Sequence, residues 1–308
     1  MQTRSMGPGA GWRWLSRAID LGRHNPKALF GAAALMLVVA LVPSLVQQLV
    51  LLAVGPENTH VVLGVAVVGM LAMLVVFPLL IAGFLRVIDA AENGRPTRAL
   101  AVFDTFRAGN DRGRIIGTGL LLMLVYVALI ALVLGVAGRD VAAWYWEVLS
   151  IAQSATPGSA PALPGMPEGM GRVAGLLLLV MMISGGLYSI GFGQVALGGR
   201  TATGALADAA AGTAKNVLPL LVLTLLGLVA MVIATLVIVL VVMFLTMLGS
   251  VVHPALGIAL ALPVYVAFMV IMYVVMFGVM YFIWRDVTGS DRPGVERPAI
   301  VRDDHFAA

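Results

Sequence analysis

The sequence predicts an all-α polytopic membrane protein, a bundle of six transmembrane helices, and three observations predict it. Hydrophobic residues fill 61% of the 308 positions and charged residues only 11%. A soluble domain is about 45–50% apolar and ~25% charged, so this chain carries more apolar surface than one globule can hide. Six apolar windows, at about 28–54, 61–85, 115–137, 173–197, 217–248 and 255–284, each reach the roughly 20 residues needed to cross ~30 Å of hydrocarbon, and none holds Lys, Arg, Asp or Glu away from its ends. The basic residues are also sorted: 17 of the 19 Lys and Arg lie in the head, in the loops after the second and fourth windows, or in the tail. Only Arg139 and Arg172 lie on the other side. That bias points both termini into the cytoplasm, and it accounts for the basic pI without nucleic acid as a partner.

Residues 1–27 read as a cytoplasmic N-terminal segment with an amphipathic helix, residues 28–284 as the transmembrane domain, and residues 285–308 as a flexible cytoplasmic tail. In the head, Trp12, Leu15 and Ile19 form one stripe, and Arg13, Arg17, Asp20 and His24 another. The first apolar run, about 27 residues, exceeds the ~7–15 of a signal peptide and reads as a retained span. Gly55-Pro56-Glu57-Asn58 turns the chain into the second window, where Pro78 predicts a kink. Residues 96–107 predict a second short helix, with Pro96 at its start and Ala99, Val102, Phe103 and Phe106 on one face. In the loop 138–172, Trp144, Tyr145 and Trp146 suit an interface anchor, and 154–171 is rich in Pro, Gly and Ser and reads as coil. Residues 201–211 predict a third short helix. Gly249, Ser250, His253 and Pro254 mark the last turn, and Pro263 a kink in the sixth window.

The windows group into three hairpins, each preceded by a short interfacial helix. Arg95-Pro-Thr-Arg-Ala-Leu-Ala-Val-Phe-Asp aligns with Arg200-Thr-Ala-Thr-Gly-Ala-Leu-Ala-Asp with one gap, which suggests an internal repeat. Gly11-Trp-Arg-Trp-Leu stands at the head, and Gly83-Phe-Leu-Arg-Val-Ile-Asp followed by Phe103-Asp-Thr-Phe-Arg in the second cytoplasmic loop. On these residues, and over roughly residues 10–285, the chain resembles bacterial inner-membrane proteins of the glycerophosphodiester-phosphodiesterase membrane-domain type. The resemblance implies a six-helix inner-membrane fold. It carries over no catalytic residue, because that membrane domain has no established chemistry of its own.

The chemistry-bearing residues are few. The absence of cysteine excludes disulfides, thiolate metal sites and cysteine nucleophiles. His24, His60, His253 and His305 show no metal-ligand spacing, and His60 with His253 reads as loop histidine. The six window cores hold no ionisable group, which argues against a proton-coupled carrier. Met269, Met272, Met276 and Met280 share a stripe that suits packing better than Cu(I). Gly185, Ser189 and Gly193 recur every four residues as a face for close helix packing. Gln47, Gln48, Tyr188 and Gln194 are the polar groups available to a cavity, or to interhelical hydrogen bonds. Arg86 with Asp89, and Asp104 with Arg107, stand at ion-pair spacing.

Arg13, Arg17, Arg23, Arg95, Arg98 and Arg107 are placed to meet anionic lipid headgroups. The expectation is a non-enzymatic scaffold or accessory subunit without a cofactor. Its partners are membrane lipids and either another protein, met through the fourth helix, or a second copy of itself. The alternative is a facilitator or channel for a neutral or lipid-like solute.

Overall fold

The computed structural model describes residues 3–23, 25–55, 58–107, 109, 111–154 and 164–289. Residues 155–163 of the expected coil, together with His24, His305 and the tail beyond Gly289, lie outside the described residues. The α-helices are α1 (Ala10–Asp20), α2 (Pro26–Val54), α3 (Thr59–Glu92), α4 (Arg112–Ala137), α5 (Arg139–Ser154), α6 (Met170–Ala196), α7 (Ala202–Lys215), α8 (Val217–Ser250) and α9 (Pro254–Thr288). Six of them, α2, α3, α4, α6, α8 and α9, are long and apolar enough to cross a membrane. They form three hairpins: α2 with α3, α4 with α6, and α8 with α9.

Helix starts follow local chemistry. Asn25 accepts a hydrogen bond from the Ala28 amide at 3.2 Å, with Pro26 as the first helical residue of α2. At α9, His253 Nδ1 accepts from the Ala255 amide at 3.2 Å, with Pro254 in the same role. Thr201 caps α7 through the Gly204 amide. The ends run further than the apolar windows. α3 continues to Glu92, and α9 continues to Thr288, so Arg285–Thr288 are helical and Val287 is fully buried. Residues 285–288, which the sequence pattern assigns to the tail, are thus part of α9, because Arg285 and Asp286 find partners on neighbouring helices.

The segment predicted as a helix over 96–107 is a 3-10 helix, Ala99–Phe106, preceded by an extended Arg98. Three residues per turn line up Ala99, Val102 and Thr105 in one row. Val102 and Thr105 are buried, and the Thr105 hydroxyl donates to the Leu79 carbonyl of α3 at 2.8 Å. Gly83 makes this approach possible, since a Cβ there would overlap the Val102 carbonyl.

The short helices do not pack where chain order suggests. α7 precedes the α8–α9 hairpin, yet it lies mainly on α6 and α4. The 3-10 helix precedes α4 and α6, yet it lies on α3 and α2. α1, at the start of the chain, lies on α9 and α8. Each therefore clasps the hairpin that comes before it, and α1 closes the cycle by clasping the last. The long helices repeat the order. The second helices α3, α6 and α9 all touch one another, and each first helix touches the second helix of the preceding hairpin: α4 on α3, α8 on α6, α2 on α9.

Glycines carry these contacts. Gly119 seats the Pro78 ring, Gly193 faces the Trp284 indole, and Gly186 meets Thr213 and Leu220. Gly11 and Gly278 bring α1 onto the start of α8 and the end of α9. The buried residues gather at one end of the bundle, called here the near end: Leu79–Leu85 of α3, Gly186–Ala196 of α6 apart from half-buried Tyr188, Tyr281–Trp284 of α9, and the first turns of α2 and α4. At the far end the helices remain paired within hairpins, as where Gly249 meets Gly257 and where Pro43 meets Gly69.

Candidate functional site

The end of α9 carries Tyr281, Trp284, Arg285 and Asp286 into a ring of polar contacts that joins all three hairpins. The Tyr281 hydroxyl donates to Asp89 of α3 at 3.1 Å, and Asp89 also pairs with Arg95. Arg285 pairs with Glu92 of α3 at 3.4 Å and lies over the rings of Tyr281 and Phe282. Trp284 Nε1 donates to Gln194 of α6 at 3.5 Å. Gln194 Nε2 donates to Asp208 of α7 at 2.8 Å, and Arg200 holds the same carboxylate at 2.9 Å. Arg86 of α3 donates to the Ala196 carbonyl at 3.1 Å, filling an acceptor left open at the end of α6. Below the polar groups, Phe84 and Phe277 meet edge-on, 5.3 Å apart.

α1 joins through Asp286. Its carboxylate accepts from Trp14 Nε1 at 2.9 Å and pairs with Arg17, whose guanidinium lies 4.7 Å from the Phe282 ring centre. Trp14 is fully buried. Residues 3–6 are tied down beside it. Asn216 accepts from the Met6 amide at 2.7 Å and donates to the Arg4 carbonyl at 2.9 Å, and the Arg4 amide donates to the Val287 carbonyl at 2.7 Å.

These positions revise several expectations. The buried stripe of α1 is Ala10, Gly11, Trp14, Leu15 and Ala18, while Trp12 and Ile19 face outward. Of the six arginines expected at headgroups, four meet the chain's own carboxylates: Arg17 with Asp286, Arg95 with Asp89, Arg23 with Asp20 at 3.2 Å, and Arg107 with Asp104 at 3.5 Å. Arg13 and Arg98 are exposed. The expected Arg86–Asp89 pair gives way to Arg86–Ala196 and Asp89–Arg95, because α3 continues as a helix into reach of α6 and the following loop.

The α6 face is also redistributed. Gly185 is exposed, with open space where a Cβ would stand, and the Ser189 hydroxyl donates to the Gly185 carbonyl at 2.6 Å. Close packing runs through Gly193 of that stripe, and through Gly186 and Gly191 outside it. Gly186, Gly191 and Gly193 are thus used inside the protein, while Gly185 stays open.

The four cavity candidates are not brought together. Gln194 is buried in the ring, and Tyr188 lies against Phe192 with ring centres 5.8 Å apart. Gln47 is half-buried and Gln48 exposed, both far along α2 from its near end. The anchor expected around Trp144 is the helix α5, with Trp144 Nε1 donating to the Pro164 carbonyl at 3.2 Å and Tyr145 and Trp146 exposed. Among the described residues, no group of three or more His, Cys, Asp or Glu is placed to share a metal ion.

Sequence reasoning missed Trp14, Asp208, Asn216, Tyr281 and Asp286. Their one signal was the presence of single polar or aromatic side chains at the charged ends of apolar windows. Such groups look solvated until the partner helix is known.

Comparison with protein-family models, with curated proteins and with solved structures returned no match.

Proposed function

We propose that the chain is a non-enzymatic scaffold or accessory subunit of the bacterial inner membrane, with both termini cytoplasmic, that contacts anionic lipid at its near end and a protein partner along its spans. The observation that carries this reading is the polar ring. Its hydrogen bonds and ion pairs are used to hold three hairpins together, in a bundle whose centre at that end is filled by Phe84, Phe277 and Trp284. Such an arrangement suits a rigid platform. Around the ring, exposed Arg13 and Arg98 face outward, next to exposed Trp12, Ile19 and Leu100. Basic and apolar side chains side by side fit the headgroup layer of an anionic leaflet.

The test is gentle extraction into nanodiscs, followed by mass spectrometry of co-purifying lipids and proteins. Enrichment of anionic phospholipid together with a stoichiometric protein is the expected result. A lone protein with no lipid preference that conducts solute in vesicles would overturn the scaffold reading in favour of a facilitator.

A further inference from the structure

Where the N-terminal segment, α1 and the end of α9 meet, an open cleft of about 340 Å³ is lined by Arg4, Met6, Arg13, Ser16, Arg17 and Asp286. Three guanidiniums face one carboxylate. Asp286 is already answered by Arg17 and Trp14, with Arg285 Nε 4.0 Å from its other oxygen, so the lining keeps an excess of positive charge. Arg4 is held by its backbone on both sides, through Val287 and Asn216. Its guanidinium lies against Gly289 just past α9, where any side chain would overlap it, and Gly289 adopts φ +63°. The glycine thus keeps room for an arginine at the lip of the cleft.

Arg13 also lines the cleft, one turn before Arg17 on α1. Ser16 adds an uncharged hydroxyl between them, and Met6 supplies an apolar wall. Planar guanidiniums from two segments, the N-terminal residues 3–6 and α1, line one cleft and match the oxygens of a phosphate, which each can grip in a bidentate manner. α1 turns Trp12 and Ile19 outward beside this cleft, 57% and 59% exposed, as a helix lying at a membrane surface would.

We propose that this cleft is a phosphate-binding site, filled by the phosphate of a phospholipid headgroup or by free phosphate. Arg4 and Arg13 grip the anion, while Arg17 and Asp286 fix the floor. This rests on the lipid contact proposed above and narrows it to one pocket.

The experiment uses the full chain in nanodiscs of phosphatidylethanolamine with phosphatidylglycerol, and in neutral detergent with inorganic phosphate. Retained lipid is read by native mass spectrometry, and phosphate binding by calorimetry. The Arg4→Gln/Arg13→Gln variant leaves the Arg17–Asp286 pair in place, and Arg139→Gln, at the exposed start of α5, is the control outside the cleft and outside the near end. Loss of two charge-assisted grips is expected to weaken binding by about tenfold or more, with the control unchanged. If phosphatidylglycerol is retained and inorganic phosphate does not bind, the source is lipid; if inorganic phosphate binds alone and is lost in the cleft variant, the source is the free ion. If the wild type retains phosphatidylglycerol and the cleft variant retains it equally, the pocket is wrong and the broader lipid contact stands. If the wild type binds neither probe, both are overturned.

Discussion

The two ends of the same six helices are built differently. At the near end, α3, α6 and α9 meet through glycines, a T-shaped aromatic pair and the interhairpin hydrogen bonds described above. At the far end, the close approaches join partners within a hairpin, as at Gly249 with Gly257, and Leu52, Val68, Leu132 and Val237 are exposed. The contrast within one helix type is as sharp: 44% of the most apolar stretch of α6 is buried, against none of that of α8. Lipid tails are as apolar as leucine, so apolar surface alone gives helices no reason to associate in a bilayer. Association needs small residues for close contact and polar groups that bond across helices. This chain concentrates both at one end.

That contrast can be broken by substitution, and the largest effect is expected at Gly193. A Cβ there would fall inside the Trp284 indole, so Gly193→Val should cost about 3 kcal/mol and leave little folded protein by size-exclusion chromatography. A variant as stable as wild type would mean that α6 and α9 do not meet there. Next, Asp286→Ala strands Trp14 and Arg17. Because Arg17 is one-third exposed, the loss should be about 2 kcal/mol, less than for a fully buried pair. Trypsin should then cut α1 faster, and unchanged cutting would argue that α1 is not held by α9.

Gln194→Leu removes one hydrogen bond to Asp208 and one from Trp284. A drop of about 1 kcal/mol is expected in thermal or denaturant unfolding. The smallest effect belongs to Gly185→Ala, eight residues before Gly193 on the same helix. With open space around it, the change should stay within about 0.5 kcal/mol and lean towards stabilisation, since alanine favours the helix. If Gly185→Ala proved as damaging as Gly193→Val, the difference drawn between these glycines would fail.

Much of the fold was legible from one dimension. Six windows became six helices long enough to cross a membrane, and the turns at Gly55 and Gly249–Pro254 fell where the breakers stood. The Asp104–Arg107 pair formed at its helical spacing. The candidate site was far less legible. The four-residue stripe through Gly185 mistook one glycine for a contact, because spacing gives a face of a helix and not the neighbour that covers it. The 3-10 row Ala99, Val102 and Thr105 was read with an α-helical period, which left Thr105 out of the packed face, while Phe103 and Phe106 do lie against the core.

The sequence by itself determined what hydrophobicity and local backbone chemistry decide: helix number and length, the sorted charges, and the caps at Asn25, Thr201 and His253. Only the tertiary structure decided which hairpin each short helix clasps, that Trp14 and Arg17 answer Asp286 across the whole length of the chain, and that Gln194 belongs to a ring rather than a cavity. The physical reason is range. Burial in lipid and hydrogen bonding within a turn act on neighbours in sequence. A glycine contact or a shared carboxylate acts between residues brought together only after every helix has found its place.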